Sequence, residues 1–281
     1  MFERIKGSWE LMKASGRVLL ADKELIIFPV VSMIGAVIVT ASFVVPAILG
    51  GIFSNIAAGE QGSRIVAAVL AFLFYVVLYT VIFYCNTALV GAALIRLRGG
   101  DPTVSDGFRI ANEHLGAIFV YALISATVGM ILRWVRERGI LGRIAAGLFG
   151  LAWNVATYLV VPILVTENVS PVDAIKRSTA LLKKTWGEQI VGNIGITAVS
   201  GLVIFLLILA GIPLLIVAAA TNTLAIIASV ALIWVLALVA VGLISSALNG
   251  IYTAAVYQYA SSGTAGTYFD ENQIRNAFRL K

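Results

Sequence analysis

Few side chains in this sequence can make or break bonds. There is one histidine, His114, beside Glu113, and one cysteine, Cys85. A metal centre needs several nitrogen, sulfur or oxygen ligands gathered together, so a lone histidine reads as structural. No His-Glu-x-x-His, no carboxylate pair at helical spacing and no Gly-x-Ser-x-Gly occurs, which leaves metalloprotease, glycosidase and serine hydrolase readings without support. Cys85 has no partner for an internal disulfide and reads as a small buried residue. The expectation is a protein that is not an enzyme and holds no metal or cofactor.

Two groups of cations and one set of amides carry the remaining chemistry. Arg133, Arg136 and Arg138 cluster with Trp134 and Arg143, and Glu137 offsets part of their charge. Guanidinium groups grip phosphate in two-pronged fashion, so this cluster is a candidate site for phospholipid headgroups or an acidic partner. Lys176, Lys183 and Lys184 form the second group. Among the apolar runs, Asn86, Asn154 and Asn193 stand out, with Thr87, Thr157, Thr197 and Asn249. Polar side chains of this kind hydrogen-bond between membrane helices, or line a path for a small neutral solute. Ion-coupled transport usually leaves a charge at mid-membrane depth, and these runs have none.

The elements that position these groups follow from composition. Of 281 residues, 60% are apolar and 12% charged, and the mean hydropathy is +0.99. Soluble domains carry about 25% charged residues, so the chain reads as an integral membrane protein. Residues 25–53, 65–95, 115–132 and 144–166 are free of charge, and residues 189–269 form an uncharged run of 81. A helix of about 20 residues spans the hydrocarbon layer, so the last run crosses more than once. Thr221-Asn222-Thr223 favours a turn, dividing it into helices over residues 189–220 and 224–259. A second break at Gly211-Ile212-Pro213 would make seven crossings. Proline more often kinks a membrane helix than ends it, and the expectation is six. The first apolar run is too long for a cleavable leader. Fifteen of the 20 Lys and Arg residues then fall on one side, Lys13, Arg96, Lys176 and Arg275 among them. Both termini are therefore expected in the cytoplasm, with the chain in the cytoplasmic membrane. A pI near 9.5 does not indicate nucleic acid, because the cations are scattered in short clusters.

The side rich in cations carries an internal repeat. Ile5-Lys6-Gly7-Ser8-Trp9-Glu10-Leu11-Met12-Lys13 lines up with Ile175-Lys176-Arg177-Ser178-Thr179-Ala180-Leu181-Leu182-Lys183, and more weakly with the stretch from Phe108. Each copy precedes two crossings. Ser170, Pro171 and Asp173 make a helix start. Val172, Ile175, Thr179, Leu182 and Trp186 fall on one stripe, as do Val104, Phe108, Ala111 and Leu115. Amphipathic segments are thus expected over residues 4–23, 104–114 and 171–187, either lying in the headgroup layer or packed as connectors on the bundle. The fold expected is all-α: six transmembrane helices in three amphipathic-elbow-plus-hairpin units. One membrane domain spans residues 1–260, and a cytoplasmic tail spans 261–281.

The stretch from Ser170 to Ser178, with Leu181-Leu182-Lys183 and Trp186, resembles the elbow of uncharacterised six-helix bacterial and archaeal membrane families. It is similar in layout to the membrane domain of some glycerophosphodiester phosphodiesterases. The ending from Tyr268-Phe269-Asp270-Glu271 through Ala277-Phe278-Arg279 resembles the tail of one such family. The resemblance implies the architecture and no catalytic residue, since the phosphodiesterase chemistry belongs to a separate soluble domain.

Gly242, Ser246 and Gly250 put a small residue every four positions in the last crossing, a ridge along which another helix of this chain or of a second protomer can pack. The functional expectation is a non-enzymatic membrane module that contacts anionic lipid and organises a complex with another membrane protein or by self-association. The alternative is a passive channel or uncoupled transporter for a small solute.

Overall fold

The computed structural model describes residues 2–52, 61–186, 195–264, 266–271 and 274. Among them the chain is helical, without strands: α1 (Phe2–Ala21), a 3-10 turn (Lys23–Ile26), α2 (Ile27–Leu49), α3 (Gln61–Leu97), α4 (Val104–Glu113), α5 (Leu115–Arg136), α6 (Gly139–Ala156), α7 (Val160–Glu167), α8 (Pro171–Trp186), α9 (Gly195–Ala220) and α10 (Leu224–Ser262). Six stretches are long and apolar enough to cross a bilayer: Lys23–Leu49, Gly62–Leu97, Leu115–Arg136, Gly139–Glu167, Gly201–Ala220 and Leu224–Ser262. Between them α1, α4 and α8 supply the three elbows. Ile38, Leu209, Leu214, Ile233 and Leu236 lie exposed along the spans. A surface this apolar suits lipid tails rather than water. This is a multi-pass membrane protein.

The breaks fall where backbone chemistry demands them. Asn222, at φ 50°, turns the chain between α9 and α10, and Thr221 Oγ1 donates to Ala218 O at 2.7 Å. Pro213 sits inside a continuous α9, so the last uncharged run crosses twice.

The fourth crossing is not one helix. It ends as α6 at Ala156 and resumes as α7 at Val160. Pro162 explains the break. Its ring crowds the carbonyl four residues back, that of Tyr158, and it has no N–H to offer, a defect that the first turn of a helix accommodates without loss. The sequence reading, which ran one helix through residues 144–166, overlooked that proline.

The chain divides into two compact units, Met1–Ile26 with Ala93–Asp101 and Trp186–Lys281, and Ile27–Ala92 with Pro102–Thr185. In the first, α1 packs on the α9–α10 hairpin, burying Leu11, Ala14 and Val18 on one side and Ile251, Tyr252 and Ala255 on the other. Gly211 leaves room for the Trp234 indole, whose Nε1 donates to Leu207 O at 3.0 Å. In the second, the Phe28 and Phe108 rings meet edge to face at 5.2 Å. Gly107 lets α4 close on α3: a Cβ there would strike the Phe28 ring and lie 2.8 Å from Ala88 O.

Candidate functional site

The elbow α8 carries most of the chemistry foreseen. Ser170 caps it, accepting from Asp173 N at 3.2 Å and donating to Asp173 Oδ2 at 2.8 Å. That hydroxyl, and then Lys176, hold the Asp173 carboxyl below its ordinary range. Among the described side chains of α8, Pro171, Ala174, Ser178, Leu181 and Leu182 are buried. This stripe is turned from the expected one: Val172 and Thr179 are exposed, because the packed face follows small side chains that let α8 sit close. The opposite face shows Lys176, Arg177, Lys183 and Lys184. Lys176 is tied to Asp173 Oδ1 at 3.1 Å and Arg177 to Glu167 Oε2 at 3.1 Å. Lys183 and Lys184 are exposed in the last turn, where cations also suit the negative end of the helix dipole.

The packed face joins the elbow to the broken crossing. Ser178, fully buried, accepts the Leu159 N–H through its Oγ at 3.1 Å. Leu159 is the cap of α7, so its amide lacks a helical carbonyl. The elbow serine therefore supplies an acceptor for an amide left over at the break. Sequence reasoning passed over Ser178; the signal was its place in the repeat, downstream of a proline within an apolar run.

Arg133, Arg136 and Arg138 come together at the exposed tip between α5 and α6. Arg133 Nε lies 3.5 Å from Glu137 Oε1, and the Arg138 guanidinium covers the Trp134 ring at 3.6 Å from its centroid. Asn86 is half-buried on α3, Asn154 is exposed on α6, and Asn193 lies outside the described residues. Gly250 is buried and Ser246 exposed, while a Cβ on Gly242 would meet nothing within 4 Å. His114 joins α4 to α5, its Nδ1 2.8 Å from Ile110 O.

The first unit holds a polar knot that was legible only as topology-setting charge. Arg96, in the last turn of α3, donates to Ala21 O at 2.7 Å, to Gly100 O at 3.1 Å and to Asp101 Oδ1 at 2.8 Å. It thus ties the carbonyl end of α1 to the turn that follows α3. Beside it Asp22 is buried, and one carboxylate oxygen has no hydrogen-bond partner. Burial raises the Asp22 pKa above 3.8, against the pull of Arg96. The segment after α10 folds over this knot: a Cβ on Gly266 would lie 2.8 Å from Leu97 O, Arg17 Nη2 donates to Tyr268 O at 2.9 Å, and Phe269 and Ile274 are buried.

Among the described residues no three His, Cys, Asp or Glu side chains are placed to share a metal ion. Neither a curated protein nor a solved structure is detectably similar to the chain. A family model does match, over residues 65–268, and it lends nothing to the comparison with glycerophosphodiester phosphodiesterases. That stretch runs from α3 to the segment folded over Arg96, and by it the chain belongs to DUF6159, a family of unknown function.

Proposed function

We propose that the protein is a non-enzymatic module of the cytoplasmic membrane, with both termini cytoplasmic, that holds anionic lipid at its elbow and organises a membrane complex. One observation carries the reading. α8 buries one face in protein through Ser178 and turns Lys183 and Lys184 outward at its end. A basic turn on an elbow whose other face is fixed is a stationary contact for phosphate groups at the membrane surface. The Arg133, Arg136 and Arg138 tip offers a second such surface. Self-association is favoured by the open space at Gly242.

The test is native mass spectrometry of the protein extracted from mixed phosphatidylglycerol and phosphatidylcholine bilayers. Retained phosphatidylglycerol, reduced in Lys183→Gln/Lys184→Gln, supports the proposal; equal retention of both lipids by wild type overturns it. Solute flux into liposomes that Asn154→Leu abolishes would replace it with the channel reading.

A further inference from the structure

The free face of α1 carries a pattern that its packing does not explain. Leu11, Ala14, Ser15 and Val18 are buried against the first unit. The other face shows Trp9, Lys13, Gly16, Arg17 and Leu20, at helical spacings of four, three or four, and three or four. Trp9 is 45% exposed and Leu20 72%, so two large apolar side chains flank two cations. A mid-helix glycine is less favourable than alanine and often marks a close approach. Among the described residues nothing approaches here, for a Cβ on Gly16 would meet no atom of theirs within 4 Å. The missing side chain instead leaves a shallow, open groove on this helix face, lined by Glu10, Lys13, Gly16, Arg17 and Leu20.

We infer that this groove holds the headgroup of one anionic glycerophospholipid. Lys13 and Arg17 flank the phosphate above Gly16, and Leu20 lies along the start of an acyl chain. Arg17 is already oriented, since Nη2 is engaged by Tyr268 O at 2.9 Å, which leaves other guanidinium N–H groups for the phosphate. The Lys13 ammonium lies 5.7 Å from the Trp9 ring centroid, within cation–π range. A lipid, rather than free phosphate, is the occupant that also explains exposed Trp9 and Leu20. The inference rests on the lipid-contact reading for its ligand class, but on different residues.

The test uses the full chain in nanodiscs of phosphatidylglycerol and phosphatidylcholine, with bound lipids counted by native mass spectrometry. Gly16→Leu, which fills the groove where there is space for it, and Lys13→Gln/Arg17→Gln should each lose one phosphatidylglycerol. Apparent affinity in the double variant should fall about 30-fold, from about 1 kcal/mol per cation at an anionic surface. Millimolar inorganic phosphate should leave the wild-type count unchanged; displacement by it would mean that free phosphate is the ligand and overturn the lipid assignment. Full retention by Gly16→Leu would overturn the site. If the α1 variants keep their lipid while Lys183→Gln/Lys184→Gln loses it, this inference fails and the α8 reading stands. Loss from the α1 variants alone refutes the α8 contact and leaves this one.

Discussion

Removing the Ser178 hydroxyl isolates a single interaction. Ser178→Ala keeps the shape and packing of α8 but leaves the Leu159 N–H, which donates to Ser178 Oγ at 3.1 Å, without that acceptor. Ser178 is 0% exposed, so water has no ready access to the vacated position. A buried donor left unsatisfied costs about 1–3 kcal/mol, and alanine's better helix propensity returns only about 0.5 kcal/mol. The expected net loss is about 1–2 kcal/mol. Thr179→Ala is the control: Thr179 is exposed, and its Oγ1 bonds within its own turn to Ile175 O at 3.0 Å. Both variants are unfolded reversibly from mild detergent micelles by SDS, following helical circular dichroism and tryptophan emission. Amide hydrogen exchange at Leu159 should accelerate in Ser178→Ala alone. Equal stability of the two variants, with unchanged exchange at Leu159, would refute the claim that the elbow completes the broken crossing.

Further outcomes follow from the same contacts. Arg96→Gln should cost about 3 kcal/mol or more, because two charge-assisted bonds to the Ala21 and Gly100 carbonyls are lost; a shift below 1 kcal/mol in detergent unfolding would show the knot to be dispensable. Little of that comes from the Asp101 pair, since Asp101 is 90% exposed. Asp22 has a folded pKa raised by burial, so its contribution is fully present below the ordinary carboxylate range and lost as pH rises through the folded value. Thermal stability should fall over that rise, and Asp22→Asn should flatten the slope; an unchanged slope would place the titration elsewhere. Asp106 works in the opposite sense. The Thr103 hydroxyl and amide, with Arg109, lower its pKa to about 2, so the α4 cap should persist at pH 4 and loosen as pH falls through that value, as read by exchange at the Asp106 amide. Gly107→Ala should destabilise by about 1–3 kcal/mol through collision with Phe28 and Ala88 O; unchanged unfolding would mean that α4 and α3 are less closely packed.

The layout was readable because the bilayer acts on whole segments. Long charge-free runs must become helices, and Thr221-Asn222-Thr223 must turn, whatever their neighbours are. Ser170 and Asp173 act within one turn and were equally plain. The Thr103 and Asp106 capping box at α4 has the same local spacing and was overlooked beside the clearer Ser170 start. What stayed hidden depends on partners distant in the chain. Arg96 reaches Ala21 across 75 positions, and Ser178 reaches Leu159 across 19. The face of α8 that packs was misjudged for a related reason: Ala174 and Ser178 are buried because they are small, and hydrophobicity alone pointed to Val172.

The lipid contact at α8 is tested most directly by titrating phosphatidylglycerol into the protein in neutral micelles at low and high salt. Wild type should bind it with an affinity that falls as salt rises, and Lys183→Gln/Lys184→Gln should bind about 30-fold more weakly with a shallower salt dependence. Identical titrations for the two proteins would contradict the account.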